Sequence, residues 1–170
     1  MSHPEPNTDW ESTARAAAGR FAAGGDGDGP EILRELLVFK LDRSGYAIAV
    51  ERIREVVRIR DLTRVPRSPD WLLGVMVLRG EVVEVVDLRC RLGLPLEAPK
   101  RSSRIIVLHG DAERVTGLLV DSVSEVFRVP EDQILPAQGF EISSVTEMCS
   151  RGEEFISILD PDTALGFLDV

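Results

Sequence analysis

VERIREVVRI, residues 50–59, returns seventy positions later as VDSVSEVFRV, residues 120–129. Val50, Glu55, Val56 and Arg58 come back as identities at Val120, Glu125, Val126 and Arg128. Ile53 and Ile59 return as Val123 and Val129, Glu51 as Asp121, and Val57 as Phe127. The same offset lays Val65-Pro66 over Leu135-Pro136, and a slightly larger one lays Val85-Val86-Asp87 over Ile158-Leu159-Asp160. Three matches in one order predict a single structural unit built twice. Such a chain presents two similar bodies with a groove between them, an arrangement suited to joining partners.

Around the repeat, the texture from Glu31 onward is β. LLVFKL (36–41) leads through the turn residues Asp42, Arg43, Ser44 and Gly45 into YAIAV (46–50), a hairpin pattern. Further strands are expected at 55–59, 72–78, 81–88, 104–109, 114–121, 124–129 and 154–160, with Gly80 in one connecting turn. Helix is confined to single turns at 50–54, 88–92 and 161–165. Short strands at this spacing predict small antiparallel sheets or barrels rather than βαβ units. Runs such as VMVL and VVEVV lack polar alternation, as strands covered on both faces do.

Residues 1–32 differ. They hold six acids, two arginines, an alanine-rich stretch and GGDGDGP, and read as a flexible, disordered acidic tail. Ala14 and Ala17, between Trp10 and Phe21, fall at helical spacing and suit a short helix formed on docking. One partial glycine-aspartate copy is too little for a calcium loop.

Composition narrows the function. With 44% hydrophobic residues among 170, the chain can bury a core. Its net charge of -9 repels phosphate backbones and acidic membranes, which argues against nucleic acid and direct membrane insertion. Arginine outnumbers lysine eighteen to two, which suits carboxylate pairing at an interface and equally reflects biased genomic composition. Cys90 and Cys149 show no metal spacing and read as reduced thiols, and nothing resembles a signal peptide or a spanning segment. A soluble cytoplasmic protein is expected. No catalytic set emerges. His3 lies in the tail and His109 at a strand end beside Gly110 and Asp111, without a nucleophile motif. Asp160-Pro161-Asp162 reads as a helix cap rather than a metal site. Neither a metal nor a cofactor is expected.

The stretch 70–95, DWLLGVMVLRGEVVEVVDLRCRLGLP, carries Gly-x-x-x-Leu-Arg-Gly followed by a valine strand ending in Asp-Leu-Arg. It resembles the chemotaxis coupling protein family, the CheW-like domain. The likeness extends to the first hairpin, to VxxIxEV at 50–56, to GLLVDSVSEVF at 117–127 and to the closing ISILD. It covers the chain from Leu33 to its end. Val77 stands where asparagine is common in the family, Glu84 where proline often interrupts the strand, and Ser143 where glycine is frequent.

The resemblance implies two five-stranded SH3-like β-barrels packed together over 33–170. It implies a non-enzymatic adaptor, recruited to receptor arrays at the inner membrane, that binds a chemoreceptor's helical cytoplasmic tip and the regulatory domain of a chemotaxis histidine kinase. Mapped by motif, the receptor groove uses Ile53, Glu55, Val56, Val75, Leu78 and Arg79. Arg79 is placed either to hold a receptor carboxylate or to lock Glu55 across the groove. Val75 and Leu78 are equally readable as core. For the kinase the candidates are Val120, Asp121 and Val123, whose valines strand packing alone explains equally well. The departures at Val77 and Glu84 and the long tail also suit a competitor or localisation scaffold that binds receptor or kinase without coupling them. A small-ligand binder or enzyme has only scattered acids in its favour.

Overall fold

The computed structural model describes residues 31–110, 114–137 and 144–166. Residues 1–30 of the expected tail, Asp111 and Ser143 lie outside them, while the Ile32 carbonyl at the tail's end already accepts the Glu131 N–H at 2.8 Å. Along the chain come β1 (Leu33–Leu41), β2 (Ser44–Ala49), a 3-10 turn (Val50–Arg52), β3 (Ile53–Val57), β4 (Leu72–Leu78), β5 (Glu81–Asp87) and α1 (Leu88–Arg91). Then follow β6 (Arg104–Leu108), β7 (Val115–Val120), β8 (Ser122–Pro130), a second 3-10 turn (Glu131–Gln133), β9 (Leu135–Pro136), β10 (Val145–Arg151), β11 (Glu154–Leu159) and α2 (Pro161–Ala164). The expected helical turn at 50–54 ends early, because Ile53 already opens β3. β10 had no sequence signal: in VTEMCSR only Val145, Met148 and Cys149 are apolar.

The strands form two sheets, in the orders β3-β6-β7-β5-β4 and β8-β1-β2-β11-β10-β9. Step by step they match. The β6–β7 hairpin stands for β1–β2, and each sheet has one parallel step, β5–β7 and β2–β11. The repeat is therefore structural, but its two copies do not coincide with the two bodies. The first hairpin, β1–β2, sits in the sheet that β8 to β11 complete, and β6–β7 sits in the sheet of β3 to β5. Each body takes its hairpin from one copy and its remaining strands from the other.

Two points of the barrel expectation need correction. One sheet has six strands, counting the two-residue β9, and neither closes by a continuous ladder among the described residues. Instead the chain curls from one edge to the other. After β3, Thr63 and Val75 of β4 exchange both backbone hydrogen bonds, at 2.8 Å each. Gly74 permits that approach: it has φ 153°, and a Cβ there would lie 2.5 Å from the Thr63 carbonyl oxygen. After β8, the second 3-10 turn delivers β9 to β10 in the same way.

Strand alternation sorts the side chains into three cores. Leu36, Val38, Ala47, Ile156 and Ile158 fill the body of β1, β2 and β8–β11. Met76, Val83, Val85, Ile105 and Val107 fill the other. Their neighbours Leu37, Phe39, Ile48, Val86, Ile106, Leu118 and Leu159 meet in a central cluster between the bodies. This is why β6, β7 and the second half of β5, covered on both faces, lack polar alternation. The VMVL run of β4 and the start of β5 instead leave Val77 and Val82 open to solvent, 68% and 59% exposed. The seam is thus filled by the chain's own side chains. What remains for a partner is its rim, not an open channel.

Candidate partner-binding site

β4 and β5 are joined by a two-residue turn in which Arg79 (φ 51°) and Gly80 (φ 79°) both adopt left-handed conformations. The turn projects Arg79 into solvent, with 72% of its side chain exposed, toward β3. There its Nη2 meets Glu55 Oε2 at 3.0 Å. The Glu55 side chain is only 17% exposed, and its Oε1 is buried with no hydrogen-bond donor among the described residues. Beside this pair Arg54 of β3 reaches Glu81 at 2.5 Å. Two ion pairs therefore tie β3 to the β4–β5 turn.

Of the six residues assigned to the receptor groove, the structure brings Glu55 and Arg79 together. Val56 is the neighbouring open apolar residue, 38% exposed. Val75 is half-buried, bridged to Thr63 and opposite Glu84 on β5. Leu78 is half-buried against the core of its own body and Ile53 against the central cluster, so packing accounts for much of both.

The three kinase candidates turn inward. Val120 is 1% exposed in the central cluster and offers no surface to a partner, because the β7 alternation points it into the seam. Val123 is half-buried against that cluster. Asp121 is engaged by Arg89 of α1, through Nε at 2.9 Å and through Nη2, and accepts the Asp42 backbone N–H at 2.9 Å. The outward residues of β8 are Ser124, Glu125, Val126 and Arg128.

Arg89, a residue to which sequence reading gave no role, proves to be the pin of the waist. Only 4% of its side chain is exposed, yet it also donates to the Pro95 carbonyl at 2.7 Å and lies near Asp42 and Glu97. It joins α1 to the β1–β2 turn and to the β7–β8 crossover, and so to both bodies. Its hydrogen bond to Asp121 raises its own pKa and holds the Asp121 carboxyl below the usual carboxylate range. Asp87, which caps α1 by accepting the Arg89 N–H at 3.0 Å, is pushed up by burial.

These charged groups answer one another, and none is arranged as nucleophile with base. A cleft of about 310 Å³ near the first 3-10 turn is lined by Arg34, Glu51, Arg52, Glu147 and Asp160. Arg34 there binds Glu147 at 2.8 Å, and Arg52 binds Asp162 at 2.7 Å. Cys149 is buried, its thiol pushed up to about 11, and burial raises Cys90 too, which leaves both short of thiolate at neutral pH. No helix among the described residues is long and apolar enough to cross a membrane.

A second Glu–Arg pair escaped the sequence reading. Glu125 of β8 meets Arg151 of β10 at 3.0 Å, the counterpart of Glu55 and Arg79 in the other body. The signal was present: Glu55 recurs at Glu125, and Arg79-Gly80-Glu81 recurs as Arg151-Gly152-Glu153.

Residues 35–167 match the family model described as the CheW-like domain. The chemotaxis protein CheW of Klebsiella aerogenes is 30% identical over 141 residues, covering 81% of this chain and 84% of that protein. That of Bacillus subtilis is 31% identical, covering 77% and 86%. The crystal structure of the scaffolding protein TtCheW from Thermoanaerobacter tengcongensis superimposes with a TM-score of 0.71 at 28% identity, over 76% of this chain and 90% of that one. With its twinned barrel-like bodies and the family match over residues 35–167, the chain belongs to the CheW-like domain family of chemotaxis adaptors.

Proposed function

We propose that this adaptor couples chemoreceptors to a chemotaxis-type histidine kinase, gripping the helical tip of a receptor at the rim beside Glu55 and Arg79. The observation that carries this is the half-made pair. Arg79 spends one side of its guanidinium on Glu55 and leaves the rest in water, and Glu55 keeps one buried oxygen without a donor among the described residues. A buried acceptor without a partner costs about 1–3 kcal/mol, which an incoming amide or ammonium donor would recover. Val56, next along β3 and 38% exposed, supplies an apolar contact on the other side of that strand, and a helix docks along such an edge by its apolar face.

The kinase regulatory domain is assigned to the exposed stretch of β8 beyond Asp121 and Val123, where Val126 is 51% exposed. Recruitment to arrays at the inner membrane follows from holding a receptor.

The test is a pull-down of a receptor tip and a kinase regulatory domain, alone and together, with Arg79→Ala as control. Retention of both at micromolar concentration, with receptor binding lost in Arg79→Ala, is the expected result. If neither is retained, the coupling reading fails. Capture of both partners without rise in kinase activity favours the competitor alternative, which the departures at Val77 and Glu84 also suit.

A further inference from the structure

Arg58 and Arg128 hold the same position in the two copies of the repeat, and their surroundings differ. Arg128 lies opposite Glu35 of β1 and pairs with it at 3.4 Å. β6 is the counterpart of β1, and there the position of Glu35 is taken by Arg104. β3 ends with Val57 opposite Ile105, so Arg58 leaves the ladder beside Arg104, the first residue of β6. Arg104 turns its guanidinium onto the carbonyls of Arg101 and Ser103, at 3.0 and 2.8 Å. Arg60 follows two residues after Arg58. Arg58 and Arg60 are exposed, and neither is ion-paired among the described residues, although Asp61 adjoins them in sequence. A chain of net charge -9 thus keeps an unanswered positive row next to the rim.

The row has a definite spacing. Alternation continues past the end of β3, with Val57 and Ile59 packed against the core of their body and Val56, Arg58 and Arg60 turned outward. Alternate residues of an extended chain stand roughly 6.5–7 Å apart on one side. A helix returns to one face every three or four residues, roughly 5–6 Å. A helix lying along β3 with an apolar residue on Val56 therefore brings the side chains one and two turns away to Arg58 and Arg60. Guanidinium groups pair carboxylates two bonds at a time, and the apolar contact beside them fits an amphipathic helix. It fits a phosphate surface less well, since the chain's overall charge repels one.

We propose that Arg58 and Arg60 select receptor helices that carry two carboxylates, one and two turns from the apolar residue seated on Val56. This rests on the receptor reading above and adds to it the choice of helix and the direction in which the helix lies.

The test is calorimetric titration of a chemoreceptor tip whose helix carries two acids at that spacing. It is titrated into the full chain and into Arg58→Glu/Arg60→Glu, Arg128→Glu and Glu55→Gln/Arg79→Ala. In dilute salt, Arg58→Glu/Arg60→Glu is expected to bind about tenfold more weakly than the parent, and Arg128→Glu within about twofold of it. Salt of about 1 M, where the screening length is about 3 Å, should remove most of that difference. Changing the two acids of the tip to lysine should weaken the parent and restore Arg58→Glu/Arg60→Glu. The urea midpoint of that variant should match the parent's, because neither arginine gives up an ion pair. Binding kept by Arg58→Glu/Arg60→Glu but lost by Glu55→Gln/Arg79→Ala overturns this inference and leaves the receptor reading standing. No binding by the parent overturns both. Arginines that govern sedimentation with phosphatidylglycerol vesicles, with tip binding unchanged, assign the row to a membrane and also overturn the inference.

Discussion

The two bodies share a strand order and a Glu–Arg pair, and differ most where they meet. After β5, Asp87 caps α1 and Arg89 reaches Asp121 ahead of β8. After β11, Asp160 caps α2, accepting the Asp162 N–H at 3.1 Å, and Asp162 reaches Arg52 ahead of β3. The same cross-link is built twice with its charges exchanged. One is buried, with Arg89 4% exposed, and the other is wet, at 36% and 65% for Arg52 and Asp162. Topology fixes where a link falls, and burial fixes what it is worth. Removing one partner of a buried pair strands a charge and costs about 3–5 kcal/mol, whereas exposed pairs are worth about 0–1 kcal/mol.

The sharpest way to break the comparison is therefore at the waist. Arg89→Leu is expected to lower unfolding stability by about 3–5 kcal/mol in urea denaturation, because Asp121 loses its partner in a half-buried setting. Equal losses in Arg89→Leu and Arg52→Leu would show that burial does not separate the two links. Acid tests the same contrast by another route. The Asp121 carboxyl is depressed in the folded state, so its stabilisation is present above the unfolded value near about 4 and disappears as pH falls below it. Asp121→Asn is expected to be less stable at pH 7 and to lose less stability than the parent between about pH 5 and 2. An unchanged acid slope would mean that Asp121 and Arg89 are not paired in solution. The smallest effect belongs to the wet link: Arg52→Ala should change stability by no more than about 1 kcal/mol.

Much of the architecture could be read from the chain, for reasons the structure makes plain. The valine and isoleucine runs of β5, β6 and β7 stand out because cores on both faces demand apolar residues at successive positions. The repeat is visible because both bodies need the same edge strand and the same capped helix. β10 is not, because it lies next to the short β9 and its polar Thr146, Glu147 and Ser150 erase the pattern. The exchange of hairpins between copies is also hidden, since β1 pairing with β8 rather than β3 leaves no local signature.

Within the site, Arg79 and Glu55 could be named from the Leu-Arg-Gly turn and the VxxIxEV segment. Val120 could not be placed, as a valine reads alike on a surface and in a seam, and only the register of β7 decides. Arg89 was quoted within Asp-Leu-Arg without a role, because its partners Asp42, Glu97 and Asp121 come from three distant stretches.

The measurement that bears most directly on the account is calorimetric titration of a receptor tip into two variants of the full chain, Glu55→Gln/Arg79→Ala and Glu125→Gln/Arg151→Ala. The first is expected to lose binding by tenfold or more, about 1.4 kcal/mol, and the second to keep it within about twofold. Equal binding by both, or loss confined to the Glu125 and Arg151 variant, would contradict the assignment of the receptor to the rim beside Glu55 and Arg79.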